Sequence, residues 1–362
     1  MSTATMAPQT QRKDWFDLAR GILMVMLFVY HSEVYYGDGH SWSFLFSPFR
    51  MAAFFIISGY FFCRDWDTFD FSHKTRQVVR AMIVPYFVFT IVLLLPKPII
   101  HGINAKQALL DILLFRASWF IIVIAVCQLV YGYFVHRKWS VLKVAIFTVL
   151  MFVLGYWSVL WYESNPDCLV DSPFLNSPIY NNRLPLCINI VLMIMPFFFA
   201  GMLLRKYERY IRFIADTKWM VLLCAVYLII VITDHYTWNS DITMNVHMYR
   251  NVALVYIYAF FGAWLVMSVS KRIGRVGVLN YIGKNSIVFY FLNGAMLQIT
   301  AAIVTRIMKL APINNGGGYF MTIIVALVAC AATIPVCWFI NKYLPLIVGK
   351  KEAWQRFRLF SR

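Results

Sequence analysis

Residues 17–33, DLARGILMVMLFVYHSE, decide the fold of this chain, because an apolar run of nearly membrane-spanning length also carries Arg20 and His31. At about 100° per residue, the eleven positions from Arg20 to His31 make three helical turns plus roughly 20°. The two side chains therefore share one face of a helix, about 16 Å apart along its axis. We expect this face to connect the cytosolic surface with the membrane interior.

The composition of the whole chain also indicates a membrane protein. Of its 362 residues, 61% are hydrophobic and 14% are charged, so one soluble core cannot bury the apolar surface. Apolar stretches about as long as a bilayer span predict ten transmembrane helices, at 17–36, 43–63, 78–96, 118–135, 141–161, 187–204, 218–234, 249–269, 285–305 and 319–342. A further segment, 105–115, is a candidate for a re-entrant or interfacial helix.

The basic residues give the expected orientation. With a cytosolic N-terminus, 25 of the 33 Lys and Arg residues fall in or beside inner segments, so the positive-inside rule predicts that both termini are cytosolic. The net charge of +17 is then mainly a topology signal. The basic clusters separate apolar helices and do not lie among aromatic residues on a soluble face, which argues against a nucleic-acid partner. The bilayer, its anionic headgroups and a phosphate-bearing cofactor are the expected partners.

We therefore predict an all-α, polytopic helix bundle in the inner (plasma) membrane, with one domain over residues 1–362. It would have a polar N-terminal tail at 1–14 and a basic C-terminal tail at 349–362. Cys168 and Cys187 both fall near the outer surface, where they either form a disulfide or remain two thiols. No Cys or His spacing suggests a metal site.

Polar residues inside a bilayer are costly and tend to mark function. His31 is either a packing histidine or a general base, because a neutral imidazole can take a proton from a hydroxyl. Arg20 is either a snorkelling anchor, with Asp17 as its ion-pair partner, or a ligand for a cytosolic phosphate. Glu33 and Arg50 lie at similar depth, where they either form a salt bridge or border the His31 site, orienting its imidazole or holding an acceptor.

Four motifs occur in an order that resembles the acyltransferase 3 family of bacterial integral-membrane O-acyltransferases. They are Arg20 with His31, the sequence FFIISGY at 54–60, RQVVRAMIVPYF at 76–87, and Trp119-Phe120 at the start of the fourth helix. The likeness extends over essentially the whole chain.

The resemblance implies transfer of an acyl group to a hydroxyl of a glycan or other acceptor at the outer face. The donor would be cytosolic acetyl-CoA, or another acyl-CoA, as a co-substrate and not a tightly bound cofactor. His31 matches the catalytic histidine and Arg20 its partner facing the CoA. Many family members carry a histidine where Asn293 stands, so no role of that histidine transfers to this chain.

The remaining candidates surround these two residues. Glu33 is a second catalytic candidate, and Lys74, Arg76 and Arg80 would join Arg20 on the CoA phosphates. Arg50, Arg116 and Trp119 are candidates for acceptor binding, although a tryptophan there is also typical of an interfacial anchor. Ser58 and Gly59 let helix two approach its neighbours, either for packing alone or at the site. The alternative functions are a transporter of polysaccharide or lipid-linked sugar, or a non-catalytic export partner.

Overall fold

The computed structural model describes residues 14–36, 42–63, 66–94, 105–165, 184–208, 217–237, 242–243, 248–249, 251–308 and 318–356. Its helices are α1 (Asp14–Tyr36), α2 (Ser47–Phe62), α3 (Phe71–Val78), α4 (Val84–Leu94), α5 (Ala105–Leu113), α6 (Trp119–His136), α7 (Val141–Ser164), α8 (Ile188–Lys206), α9 (Thr217–Thr237), α10 (Val252–Ile273), α11 (Gly277–Lys284), α12 (Ser286–Met308), α13 (Gly318–Tyr343) and α14 (Lys351–Arg356). Short 3₁₀ turns occupy Trp42–Leu45 and Pro185–Cys187. Two strands of two residues each, β1 (Ile242–Thr243) and β2 (Met248–Tyr249), pair antiparallel, with Ile242 opposite Tyr249.

The fold is the predicted all-α polytopic bundle. Nine of the ten predicted spans are confirmed among the described residues as helices long and apolar enough to cross a membrane. The other span, predicted at 43–63, is the helix α2 of only 16 residues, which follows a 3₁₀ turn and is buried along most of its length. The short segment predicted at 105–115 is α5, a helix of nine residues.

The third span begins earlier than the hydropathy predicts, at Phe71 and not at residue 78. Asp70 caps its first turn, since its carboxylate accepts a hydrogen bond of 2.9 Å from the His73 backbone N–H. The same contact lowers the pKa of Asp70 below its usual value. A π turn over Val79–Ile83 joins α3 to α4 without breaking the helix, a feature that is frequent at functional sites.

The bundle has a buried centre and an apolar periphery. Helices α1, α2, α6 and α8 contribute most of the buried aromatic and aliphatic side chains. By contrast, α7 and α9 expose large apolar side chains such as Leu142, Val149 and Ile229, as expected of surfaces that face lipid.

The central crossing of α2 and α8 depends on two glycines. A Cβ atom at Gly59 would lie 1.9 Å from the Phe198 carbonyl oxygen, and one at Gly201 would lie 1.9 Å from the Ile56 carbonyl oxygen. Small residues allow membrane helices to approach this closely. Ser58 bonds only within its own helix in the described contacts, donating to the Phe54 carbonyl oxygen. Packing therefore explains Ser58 and Gly59 without a role at a site.

Candidate functional site

Helix α1 contains both Arg20 and His31, and two glycines fix its position against α11. A Cβ atom at Gly283 on α11 would lie 1.7 Å from the Asp17 carbonyl oxygen. One at Gly21 on α1 would lie 2.0 Å from the Leu279 carbonyl oxygen. Because the two backbones touch here, only glycine fits, and the height of α1 relative to α11 is fixed.

At the inner end, Arg20 contacts a polar cluster formed by three distant segments. Its Nη2 donates a 2.7 Å hydrogen bond to Ser286 Oγ, at the first residue of α12. The neighbouring Asn285 accepts a 2.9 Å bond from Asn341 Nδ2, and Lys350 Nζ donates to the Asn341 carbonyl oxygen at 2.9 Å. The sequence analysis missed these partners, which lie up to 330 residues from Arg20 in the chain.

The three other basic residues predicted at the inner end occupy different environments. Lys74 is buried, and its Nζ donates to the Phe62 carbonyl oxygen at 3.4 Å, at the end of α2. Lys74 also lines a polar cavity of about 680 Å³ together with Asp70. Arg76 is exposed on α3. Arg80 lies in the π turn, where its carbonyl oxygen would be 2.3 Å from a Cβ atom at Gly349.

The contact at Gly349 connects two parts of the inner surface. Gly349 has a positive φ of 68°, so a side chain is disfavoured there by the backbone as well as by the approach to Arg80. The next residue, Lys350, belongs to the Arg20 cluster through Asn341. The π turn and the Arg20 cluster are therefore neighbours on one surface.

At the outer end, His31 is partly buried and its ring lies edge-on to Tyr30, with 5.2 Å between the ring centroids. Among the described residues, the imidazole makes no hydrogen bond, so neither ring nitrogen is committed to the fold. The next residue, Ser32, donates to the Thr322 carbonyl oxygen at 2.7 Å and so fixes α1 against α13. This contact sets the rotation of α1 and with it the direction of His31.

Arg50 lies near His31, since both side chains lie against the Tyr30 ring. It is 4% exposed, and its guanidinium carbon is 3.9 Å from the Tyr30 ring centroid. The alternative of a Glu33–Arg50 salt bridge is not supported, since no such ion pair forms in the described part of the chain. Glu33 instead accepts a 3.1 Å hydrogen bond from the Ser43 backbone N–H and acts on Arg50 at longer range.

Arg116 and Trp119 lie in packed surroundings. Arg116 Nη2 is 2.6 Å from Oδ1 of the buried Asp111, and the Asp111 carbonyl oxygen also accepts the Arg116 backbone N–H. Trp119 is buried against Phe55 and Phe120 and is not an exposed interfacial side chain. Acceptor binding by either residue stays a prediction.

Asn293 lies on α12 two turns beyond Ser286, so the two residues share a helix face within about 20°. It is 4% exposed, and its Nδ2 is buried without a hydrogen-bond partner in the described structure. Because α12 packs on α1, this amide is a further polar group beside α1 that has no partner within the described part of the chain.

A second, largely apolar cavity of about 560 Å³ lies between α1, α2, α8 and α10 and includes Trp15, Tyr60 and Met267. Trp15 is 140° from Arg20 around the axis of α1. This cavity therefore opens on a different helix face from Arg20 and His31.

Of the other predicted residues, Cys187 donates through Sγ to the Phe115 carbonyl oxygen at 3.4 Å. Cys168 lies outside the described residues, so the disulfide stays a prediction.

Comparison with protein families gives one match that covers most of the chain. A family model described as an acyltransferase domain, that of acyltransferase 3, matches residues 13–342. The match includes Arg20, His31 and the helices that position them. Comparisons with curated proteins and with solved structures found no match. The chain therefore belongs to the acyltransferase 3 family and is a membrane acyltransferase.

Proposed function

We propose that this protein is an O-acetyltransferase of the cell inner membrane. It would move an acetyl group from cytosolic acetyl-CoA to a hydroxyl of an extracytoplasmic or membrane-linked glycan. The observation that supports this proposal is the position of Arg20 and His31 at opposite ends of the same helix, α1. The inner end presents Arg20 in a polar cluster, and the outer end, about 16 Å away, presents an imidazole without hydrogen bonds in the described structure.

The inner surface supplies the groups that a CoA molecule requires. Arg20 would bind a phosphate with its planar guanidinium, supported by Lys74, Arg76 and Arg80 as further cations. Lys350, whose Nζ donates to the Asn341 carbonyl oxygen in the polar cluster at Arg20, would add a fifth positive charge. An extended pantetheine arm has a reach comparable to the distance from Arg20 to His31, so the thioester would meet the imidazole while the nucleotide stays cytosolic.

His31 would act as the general base. It takes the proton of the acceptor hydroxyl while that oxygen attacks the thioester carbonyl carbon. The tetrahedral intermediate then collapses, the carbon–sulfur bond breaks, and the CoA thiolate receives the proton from the imidazolium. In this direct scheme, Glu33 would hold the outer rim through Ser43, and Arg116 and Trp119 would contribute to the acceptor side.

Reconstitution tests the proposal. Proteoliposomes receive radiolabelled acetyl-CoA and an envelope glycan fraction from the source cells, and labelled glycan is counted. We expect transfer by the wild type and a loss of about 10² to 10⁴-fold for His31→Ala. The control is His136→Ala at the exposed end of α6, which should retain transfer. Retained transfer by His31→Ala would rule out the mechanism, while no transfer by the wild type would favour a transporter or an export partner.

A further inference from the structure

The outer end of the site contains a buried cation, Arg50, that forms no ion pair among the described residues. Arg50 is 4% exposed, and two of its three guanidinium nitrogens, Nε and Nη1, are buried without a hydrogen-bond partner in the described residues. The guanidinium contacts Tyr30 through its ring and its side-chain oxygen. Glu33 accepts the Ser43 N–H and does not form an ion pair with Arg50 among the described residues.

Such an arginine is unfavourable for the resting fold. A cation–π contact returns only a small part of the free energy lost when a charge leaves water. Arg116, in the same outer half of the predicted topology, shows the arrangement of a structural arginine, with a buried carboxylate 2.6 Å from its Nη2. Arg50 lacks this arrangement among the described residues, so stability does not explain a buried arginine at this position.

The position of Arg50 suggests what it binds. Its guanidinium lies over the Tyr30 ring, whose centroid is 5.2 Å from that of the His31 ring, and a general base must lie beside the atoms that react. When a hydroxyl attacks a thioester, the carbon–oxygen π electrons move onto the carbonyl oxygen and create a negative charge there. Hydrogen-bond donors fixed in a dry site stabilise such a charge strongly, because they do not reorganise during the reaction.

We propose that Arg50 is a catalytic residue that binds the oxyanion of the tetrahedral intermediate. This inference rests on the proposed function. His31 takes the proton, the new carbon–oxygen bond forms, and Arg50 donates hydrogen bonds to the carbonyl oxygen as it becomes negative. When the oxyanion returns its electrons to the carbonyl, the carbon–sulfur bond breaks and the CoA thiolate leaves with the proton from His31.

This assignment differs from an acceptor-binding role for Arg50 in a measurable way. An oxyanion contact exists only near the transition state, so its loss lowers the maximal rate and leaves acceptor affinity nearly unchanged. A contact with a permanent negative group on the acceptor would instead raise the amount of acceptor needed for half-saturation. A purely structural contact would lower the melting temperature.

The experiment compares Arg50→Gln, Arg50→Met and Arg50→Lys in the proteoliposome assay, with the exposed Arg137→Gln as the charge-removal control. We expect Arg50→Gln and Arg50→Met to lose about 10² to 10³-fold in maximal rate, with the half-saturating amount of glycan fraction within about threefold of wild type. Arg50→Lys should recover part of the rate, since it restores a charge without the planar fork. Neither Arg50→Gln nor Arg50→Met should melt below the wild type, because each removes an unpaired buried charge.

Each other result overturns the inference. A raised half-saturation with the maximal rate retained would assign Arg50 to the acceptor. A lower melting temperature, with a rate loss that matches the loss of folded protein, would make Arg50 structural. If the wild type itself transfers no acetyl group, the proposed function fails, and the inference fails with it. An active wild type with equally active Arg50 variants would reject the inference alone.

Discussion

The two ends of α1 differ in how their polar groups are satisfied. At the inner end, Arg20 donates a hydrogen bond to Ser286, and Gly21 and Gly283 allow the backbones of α1 and α11 to lie in direct contact. At the outer end, His31 makes no hydrogen bond and Arg50 leaves two buried nitrogens without a partner, within the residues that the structure describes. We infer that the inner end binds a ligand through a preformed hydrogen-bonded cluster. At the outer end, the polar groups would form their hydrogen bonds only when the substrates are bound.

The largest expected effect comes from the crossing that holds the inner end. In Gly283→Ala, the new Cβ atom would overlap the Asp17 carbonyl oxygen, and α11 would have to move away from α1. We expect a loss of about 3 kcal/mol or more in stability, together with a loss of folded protein. Thermal melting in detergent measures the effect.

Gly294→Ala is the matched control for this substitution. A Cβ atom at Gly294 meets no other atom within 4 Å, so this variant should melt close to the wild type. If Gly283→Ala also melted like the wild type, α11 would not fix the position of α1.

A smaller effect should distinguish Arg116, which forms an ion pair, from Arg50, which forms none among the residues that the structure describes. Asp111→Leu leaves Arg116 without the carboxylate of its ion pair. We expect the free energy of unfolding to fall by about 3 kcal/mol, the lower end of the range for breaking a buried ion pair, because Arg116 is partly exposed. The double variant Asp111→Leu/Arg116→Met should recover most of that loss. Chemical denaturation of the two variants checks this. Equal stability of Asp111→Leu and the wild type would remove the contrast with Arg50.

The smallest effect concerns how Arg20 is positioned. Ser286→Ala removes the hydroxyl that accepts the 2.7 Å bond from Arg20, so we expect CoA to bind about five-fold more weakly, the equivalent of about 1 kcal/mol. Titration of the purified protein with CoA measures the affinity. Ser164→Ala is the control, since Ser164 is exposed and bonds only to its own helix in the described contacts, at Leu160. Tighter or unchanged CoA binding by Ser286→Ala would show that the cluster does not position Arg20.

The sequence predicted the fold well because lipid imposes a simple rule of length and apolarity. This rule gave the wrong start for the third span and an excessive length for the second. The first turns of the third span are polar and capped by Asp70, so hydropathy places its start at residue 78. The helix α2 is short because the centre of the bundle, and not lipid, covers most of it.

The candidate site was predictable along single helices and hairpins but not across the bundle. Helix periodicity gave the shared face of Arg20 and His31, and the short hairpin placed Arg50 near that face. The contact between Arg20 and Ser286 joins positions 266 residues apart, and no local pattern encodes it. The Arg116–Asp111 pair spans only five residues, but it forms at the turn after α5 and does not follow the i, i+3 or i, i+4 spacing of a helix.

The most direct test measures CoA affinity and maximal acetyl transfer for Arg20→Lys and His31→Gln side by side. The account predicts that Arg20→Lys weakens CoA binding roughly tenfold, through the loss of a charge-assisted contact, while the maximal rate stays within a few-fold of wild type. It predicts that His31→Gln keeps CoA affinity and loses at least about 10²-fold in rate. Unchanged CoA affinity in Arg20→Lys, or full transfer by His31→Gln, would contradict the division of α1 into a binding end and a chemical end.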